Sequence, residues 1–480
     1  KKVERYYPHM PLDRVKAYIY DIKDKNNITQ IREVEIEGHY VTSRKIGSSL
    51  YMISNSYMGY DILYDENIPI GPKYKDSYTN SNFKQIPYED IKYIPPIMYP
   101  RYLVVASLDL DSKEEVEVKT YLGASDNVYV SQENIYVTVD TGVYRIMPMM
   151  ETEDAVVFNP QDYEPKTKIY KFSMDEGKTT YIAKGEVPGN ILNQFSMDEH
   201  KKSFRIATTR HTQINNRYTS TNNVYILNEN MNVTGKLEDL APEERIYSVR
   251  FMGDKGYMVT FKDVDPLFVL DLEDPSNPRV LGKLKIPGYS DYLHPYDENH
   301  LIGFGKDTVA LSIKDWQGNE TGINAYYMGM KIALFDVSDV NNPIEKHKII
   351  IGDRGTESEL LRDHKALLFD KKRNLLGFPI TVCEVKGKLI DERYGIPAYG
   401  EVTFQGAYIY ELTPEDGFDL KGKISHVTQE DDLKSGYYYG AERTIRRLLY
   451  IGDYLYGVSN EKISAHDMDT LKEENSITIK

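Results

Sequence analysis

One strand–turn–strand unit recurs along this chain of 480 residues, and it limits the fold more than any other feature. Residues 18–38 read YIYDIKDKNNITQIREVEIEG, 268–288 read FVLDLEDPSNPRVLGKLKIPG and 333–352 read ALFDVSDVNNPIEKHKIIIG. In each, an alternating apolar run meets an Asp/Asn-rich turn, and a second alternating run ends at Gly. A period of two belongs to half-buried strands, and Asp, Asn and Pro supply turn chemistry, so each unit predicts a hairpin. Weaker copies stand at 103–123, 169–189, 224–242, 407–426 and 462–479.

A second kind of hairpin lies between the copies, as in YSVRFMGDKGYMVTF (247–261) and RRLLYIGDYLYGVS (446–459). One hairpin of each kind makes four strands. The expected fold is therefore all-β, a β-propeller of about eight four-stranded blades in a single domain. The blades are expected near 38–123, 124–189, 190–242, 243–288, 289–352, 353–436 and 437–480, after a half blade at 15–37. Residues 1–14 show no inner strand pair for that half blade. Three readings follow: strands upstream of the chain, strands added by a partner, or docking as an edge. A pair of β-sandwiches is the competing architecture.

Composition narrows the function classes. Forty-one Tyr against one Trp suits half-wet sheet surfaces. A net charge of −15 argues against a phosphate-backbone binder, so nucleic acid is not an expected partner. Cys383 is the sole cysteine and rules out an internal disulfide. No run of 18 apolar residues occurs, so no membrane span is expected.

The strings YLGASDNVYVSQENIYV, EVPGNILNQFSMDE, YSDYLHPYDENHLIGFGKD, KIALFDVSDVNNP, DHKALLFDKKRNLL and FQGAYIYEL resemble one family across nearly the whole chain. It is the group of secreted bacterial and archaeal proteins with a C-terminal β-propeller distantly related to WD repeats. The resemblance implies a propeller and an exported protein, located outside the cell or in its envelope. Members usually carry a further N-terminal segment, which agrees with the upstream reading of the half blade. It implies no activity and transfers no functional residue.

His-Glu-x-x-His, Gly-x-Ser-x-Gly, Cys-x-x-Cys and the phosphate-loop pattern are missing, so no catalytic residue, metal ligand or cofactor is assigned. Gly303-Phe304-Gly305-Lys306 resembles a phosphate-loop fragment but ends a strand without a following helix. Aligning the innermost strands on their turns gives polar columns expected to line a central channel. Arg44, Asn193, Arg250, Tyr292, His294, His364 and Arg447 are its candidate binding residues, for a small anion or polyol. Channel water would need the same groups. His294, His300, Asp363 and His364 are the one conceivable metal set, but they fall on two blades without close spacing. The Asp/Asn turns, such as Asp21, Asp24 and Asn26, invite a calcium reading, against which ordinary turn chemistry is simpler.

Insertions are the other place for function. Residues 57–100 are Tyr- and Pro-rich, and shorter insertions cover 384–404 and 427–442. Asn27, Asn232 and Asn319 open glycosylation triplets. The leading expectation is a non-catalytic binding or scaffold protein for a protein or glycan at the cell surface. The alternatives are a carbohydrate hydrolase or lyase using the channel, and a subunit that self-assembles by strand addition.

Overall fold

In the computed structural model, residues 13–57, 71–94, 101–123, 127–141, 165–214, 217–261, 265–286, 288–314, 320–391, 395–427 and 442–479 are described. The fold is all-β, and the described helical segments are single 3₁₀ turns. Eight antiparallel sheets carry it. The first comprises β1 (Arg14–Asp21), β2 (Thr29–Glu37), β5 (Lys73–Asp76) and β6 (Asn80–Gln85). The second holds β3 (His39–Ile46), β4 (Ser49–Tyr57), β8 (Arg101–Asp109) and β9 (Glu117–Leu122), with the short β7 (Ile91–Tyr93) added parallel to β9. The third is β10 (Val128–Val130), β11 (Asn134–Asp140), β12 (Lys166–Asp175) and β13 (Lys178–Pro188). The fourth is β14 (Met197–His200), β15 (Ser203–Ile214), β16 (Arg217–Leu227) and β17 (Val233–Leu240).

The remaining sheets follow the same up-and-down order. The fifth is β18 (Arg245–Met252), β19 (Lys255–Phe261), β20 (Asp265–Asp271) and β21 (Arg279–Ile286). The sixth is β22 (Tyr289–Pro295), β23 (His300–Lys314), β24 (Glu320–Asp336) and β25 (Ile344–Ile351). The seventh is β26 (Leu368–Asp370) and β27 (Leu375–Glu384), then β30 (Glu401–Thr413) and β31 (Gly417–Ile424); a ribbon of β28 (Ile390–Asp391) and β29 (Ile396–Pro397) interrupts it. The eighth is β32 (Arg447–Ile451), β33 (Tyr454–Val458), β34 (Lys462–Asp467) and β35 (Glu473–Thr478). The chain forms two compact units, one of residues 1–219 and 223–238, the other of 220–222 and 239–480.

Sheets pack face to face within each unit, because a four-stranded sheet cannot cover its own apolar side. Sheets two and three share Ile53, Leu103, Val137 and Tyr170, and sheets five and six share Val259, Leu267, Leu301 and Phe335. The Gly that ends the repeat lets the chain change direction. Gly38, Gly189 and Gly288 take φ of 112°, 85° and 82° where β2, β13 and β21 lead into the next sheet. A Cβ on Gly38 would lie 2.5 Å from the Asn55 carbonyl oxygen. Left-handed φ and this close approach together exclude other residues. The Asp/Asn turns close on themselves: Asp21, Asp271 and Asp336 each accept the N–H two residues on, at 2.9, 3.1 and 3.0 Å.

The first sheet gains strands that the sequence reading did not place. Its extra hairpin, β5–β6, comes from the 57–100 segment and pairs with β2, not with β1. Among the described residues β1 pairs only with β2, and its Tyr18 and Tyr20 are exposed. An ion pair fixes the added hairpin. Arg32 Nε and Nη2 donate to Asp76 Oδ1 and Oδ2 at 3.1 and 2.6 Å, and the N–H groups of Val116 and Tyr78 donate to the same carboxylate at 2.9 and 3.1 Å. Burial alone would raise the Asp76 carboxyl, but Arg32 and the two backbone donors outweigh it and hold it below its ordinary value.

In the second unit a buried chain of side chains joins the end of sheet seven to sheet eight. His466 Nδ1 donates to the Leu471 carbonyl (3.0 Å), leaving Nε2 to accept from Ser464 Oγ (2.8 Å). Ser464 Oγ lies 2.7 Å from His426 Nε2, and His426 Nδ1 lies 3.0 Å from Ser459 Oγ, which also donates to the Lys462 carbonyl at 3.1 Å. Burial, then Lys462, lowers His426 to about 4, with His466 adding to and Glu473 opposing the shift. A His depressed when folded contributes stability above its unfolded value of about 6.5, and loses it as pH falls toward the folded value. Between pH 6.5 and 4, His426→Gln should therefore lose less stability than the parent chain, read as urea midpoints at each pH. Parallel pH profiles would refute the assignment.

Candidate functional site

The seven candidate channel residues fall into two groups. In the first unit, Arg44 on β3 is exposed and donates to the Ser43 carbonyl at 3.0 Å. Asn193 precedes the 3₁₀ turn Gln194–Ser196 and accepts from Phe195 N at 2.9 Å, which commits its side-chain oxygen to a cap. In the second unit four of the candidates come together. Tyr292 and His294 alternate along β22, with Tyr292 Oη 3.0 Å from His294 Nδ1. The His364 ring centroid lies 5.9 Å from that of Tyr292, and Phe369 meets His294 edge-on at 4.9 Å. Burial, then the charges of Arg250 and His364, lower His294 to about 4. Arg447 is drawn to Asp363, the neighbour of His364.

Burial keeps the His294 imidazole neutral near pH 7. A neutral imidazole with a lowered pKa is a weak proton acceptor there. Among the described residues no three of His, Cys, Asp and Glu are placed to hold a metal ion. His300 is instead bonded to Asp297 (Nδ1 to Oδ1, 2.9 Å). Gly303 and Gly305 serve packing: a Cβ on Gly305 would sit 1.8 Å from the Tyr289 carbonyl oxygen, and Lys306 pairs with Glu357 at 2.9 Å.

The residues that sequence reading missed lie at the other ends of β18 and β22. In an up-and-down sheet, the second-to-third connection and the exit to the next sheet share one end. The strand ends that open onto the longest stretches of chain lie there: those between β4 and β8, β11 and β12, β27 and β30, and those before β26 and β32. Turns at the opposite end span no more than ranges such as 22–28 and 272–278. In sheet six, β23 and β24 run past their outer partners as a two-stranded arm over 307–314 and 320–329.

Beneath that arm is an aromatic and charged cluster. Tyr289 is buried and packs edge-on against Tyr247 (4.8 Å) and Tyr327 (5.0 Å), while Phe261 stands 5.3 Å away. The Tyr247 and Tyr327 hydroxyls are 3.3 Å apart, and Arg245 Nη2 donates to Tyr247 Oη at 2.9 Å. Asp291, the extra residue in the bulge between Ser290 and Tyr292, is half-buried beside them. Burial raises its carboxyl to about 7; Lys306 opposes the rise and Glu357 adds to it. Nearby, Arg354 lies 5.4 Å from the Tyr326 ring and 4.1 Å from the Tyr399 ring, and donates to the Pro397 carbonyl at 2.5 Å. It thereby joins the sheet-six arm to the sheet-seven ribbon. Tyr247 and Tyr289 open their strands as Arg-Ile-Tyr and Gly-Tyr, a weak signal; Tyr327 lies on an arm that no repeat copy contains.

Eight repeated four-stranded sheets are a propeller's units, and the Beta propeller domain family matches residues 1–471. The chain belongs to that family. Among relatives of this propeller, an uncharacterised protein of Methanocaldococcus jannaschii is 37% identical over 311 residues, covering 64% of this chain and 39% of its own. An uncharacterised protein of Archaeoglobus fulgidus is 27% identical, covering 95% of this chain and 70% of its own. The propeller thus spans about two fifths of the first relative's length and 70% of the second's. Among solved structures, the C-terminal WD40 domain of Sif2 overlays with a TM-score of 0.34 at 9% identity, covering 73% of this chain and 70% of that one. No helix among the described residues is long and apolar enough to cross a membrane.

Proposed function

We propose that this propeller is a non-catalytic binding protein of the cell exterior, which meets a protein or glycan partner at the elaborated ends of its sheets. The β-propeller fold in general provides a scaffold for binding. The observation that supports a particular face is the one-sided placement of long connections. Loops on a rigid scaffold carry recognition, and short turns at the opposite end leave little material for it. Tyr and Arg, the residues gathered at that end of sheets five to seven, are enriched in recognition surfaces. The neutral His294 agrees with binding rather than acid–base chemistry.

Replacing residues 309–326 by Asn-Gly tests this. Thr308 and Tyr327 are directly paired, so a two-residue turn can join them without disturbing sheet six. The parent chain should co-sediment with envelopes of cells that make it, and the trimmed chain should bind at least 10-fold more weakly. Absence of co-sedimentation, or equal binding by both, would refute the reading.

A further inference from the structure

We infer that Tyr327 and Tyr247 form a stacking subsite for one ring of an uncharged oligosaccharide. This rests on the binding reading above and names the class of ligand at that face.

Tyr327 is 44% exposed although it belongs to a cluster whose other rings are buried or half-buried. Its orientation is fixed twice, by the ring of Tyr289 behind it and by the hydroxyl contact with Tyr247. A ring held in this way offers apolar area with little side-chain entropy left to lose. One face of a pyranose is a set of C–H groups, and covering it on an aromatic ring removes apolar surface from water. The sugar's hydroxyls then need partners at the ring edge. Around these two rings lie the Tyr247 hydroxyl, the Arg245 guanidinium and the Asp291 carboxyl, which supply donors and acceptors.

The charges beside the rings are few. Lys306 is already matched to Glu357 at 2.9 Å, and near neutrality the Asp291 carboxyl is partly protonated. Arg245 is then the main charge left beside the rings, a single cation already donating to Tyr247 Oη at 2.9 Å, and it serves as a donor to sugar hydroxyls. A protonated carboxyl can donate as well as accept, as sugar hydroxyls require.

Calorimetric titration with maltotriose, mannotriose and chitotriose tests the subsite. At least one should bind with a Kd below about 1 mM. Tyr327→Ala should weaken that binding at least 10-fold, while Tyr327→Phe, which keeps the ring, should stay within 3-fold. Asp291→Asn should flatten any change in affinity between pH 6 and 8. Equal urea midpoints for the variants would establish that folding is intact. The subsite is refuted if none of the three sugars binds below 10 mM, or if Tyr327→Ala binds like the parent. Should the parent still co-sediment with envelopes in that case, the binding face stands and the sugar assignment alone falls; a purified protein whose binding Tyr327→Ala abolishes would take its place.

Discussion

Asp76→Ala should destabilise the first unit by about 3–5 kcal/mol, the range for removing one partner of a buried ion pair. Both Arg32 and Asp76 are 2% exposed. The substitution leaves a guanidinium buried without its carboxylate and frees the N–H groups of Val116 and Tyr78. It also cuts the link among β2, the β5–β6 hairpin and the 110–116 turn, since Arg32 Nη2 donates to the Glu114 carbonyl at 2.8 Å. Hydrogen exchange of the 71–86 peptides reports the loss locally, and a urea midpoint reports it globally. The double variant Arg32→Met with Asp76→Leu removes both charges and should lose clearly less than Asp76→Ala, the remaining loss coming from the unpaired N–H groups of Val116 and Tyr78. The effect also depends on pH. Because the folded carboxyl is depressed, its contribution is present above the unfolded value of about 3.9 and is lost as pH falls through the folded value. Parent and Asp76→Ala should therefore converge in acid. A single variant as stable as the parent at pH 7 would show that the pair carries no stability.

Phe335→Ala should cost the second unit about 3–5 kcal/mol, the range for truncating a fully buried aromatic side chain. Phe335 is 0% exposed and packs between sheets five and six with Leu267, Val269 and Leu301. Across the pair, its Cε2 lies only 2.7 Å from where a Cβ on Gly303 would stand, so the glycine exists to admit this ring. Gly303, diagonal to Phe335 across the β23–β24 pair, brings no side chain of its own toward the void. The urea midpoint should fall with the slope unchanged, and exchange should rise in β20 and β23. A loss below about 1 kcal/mol would mean that the two sheets close over the cavity.

Much of the fold was legible because its signals are local. The repeat at 268–288 became β20 and β21, and that at 333–352 became the core end of β24 with β25. Its terminal Gly marks the corner between sheets. The 57–100 segment was legible only as an insertion. That its Lys73–Asp76 run would pair with β2 depends on Asp76 meeting Arg32, residues 44 apart in sequence. Tyr292 and His294, taken from the polar columns, stand together on β22 because alternation keeps such positions on one face. They did not show that Asn193 caps a turn or that Arg447 pairs with Asp363.

The sequence alone determined the unit of construction: two hairpins with Asp/Asn turns, closed by a glycine, repeated along the chain. Periodicity and turn chemistry act over a few residues and can be read there. Only the tertiary structure decided which end of the sheets gathers the long connections, and which side chains they bring over Tyr289. Those contacts join residues 247, 289 and 327 from two sheets and one arm, and packing, not spacing, sets their distances.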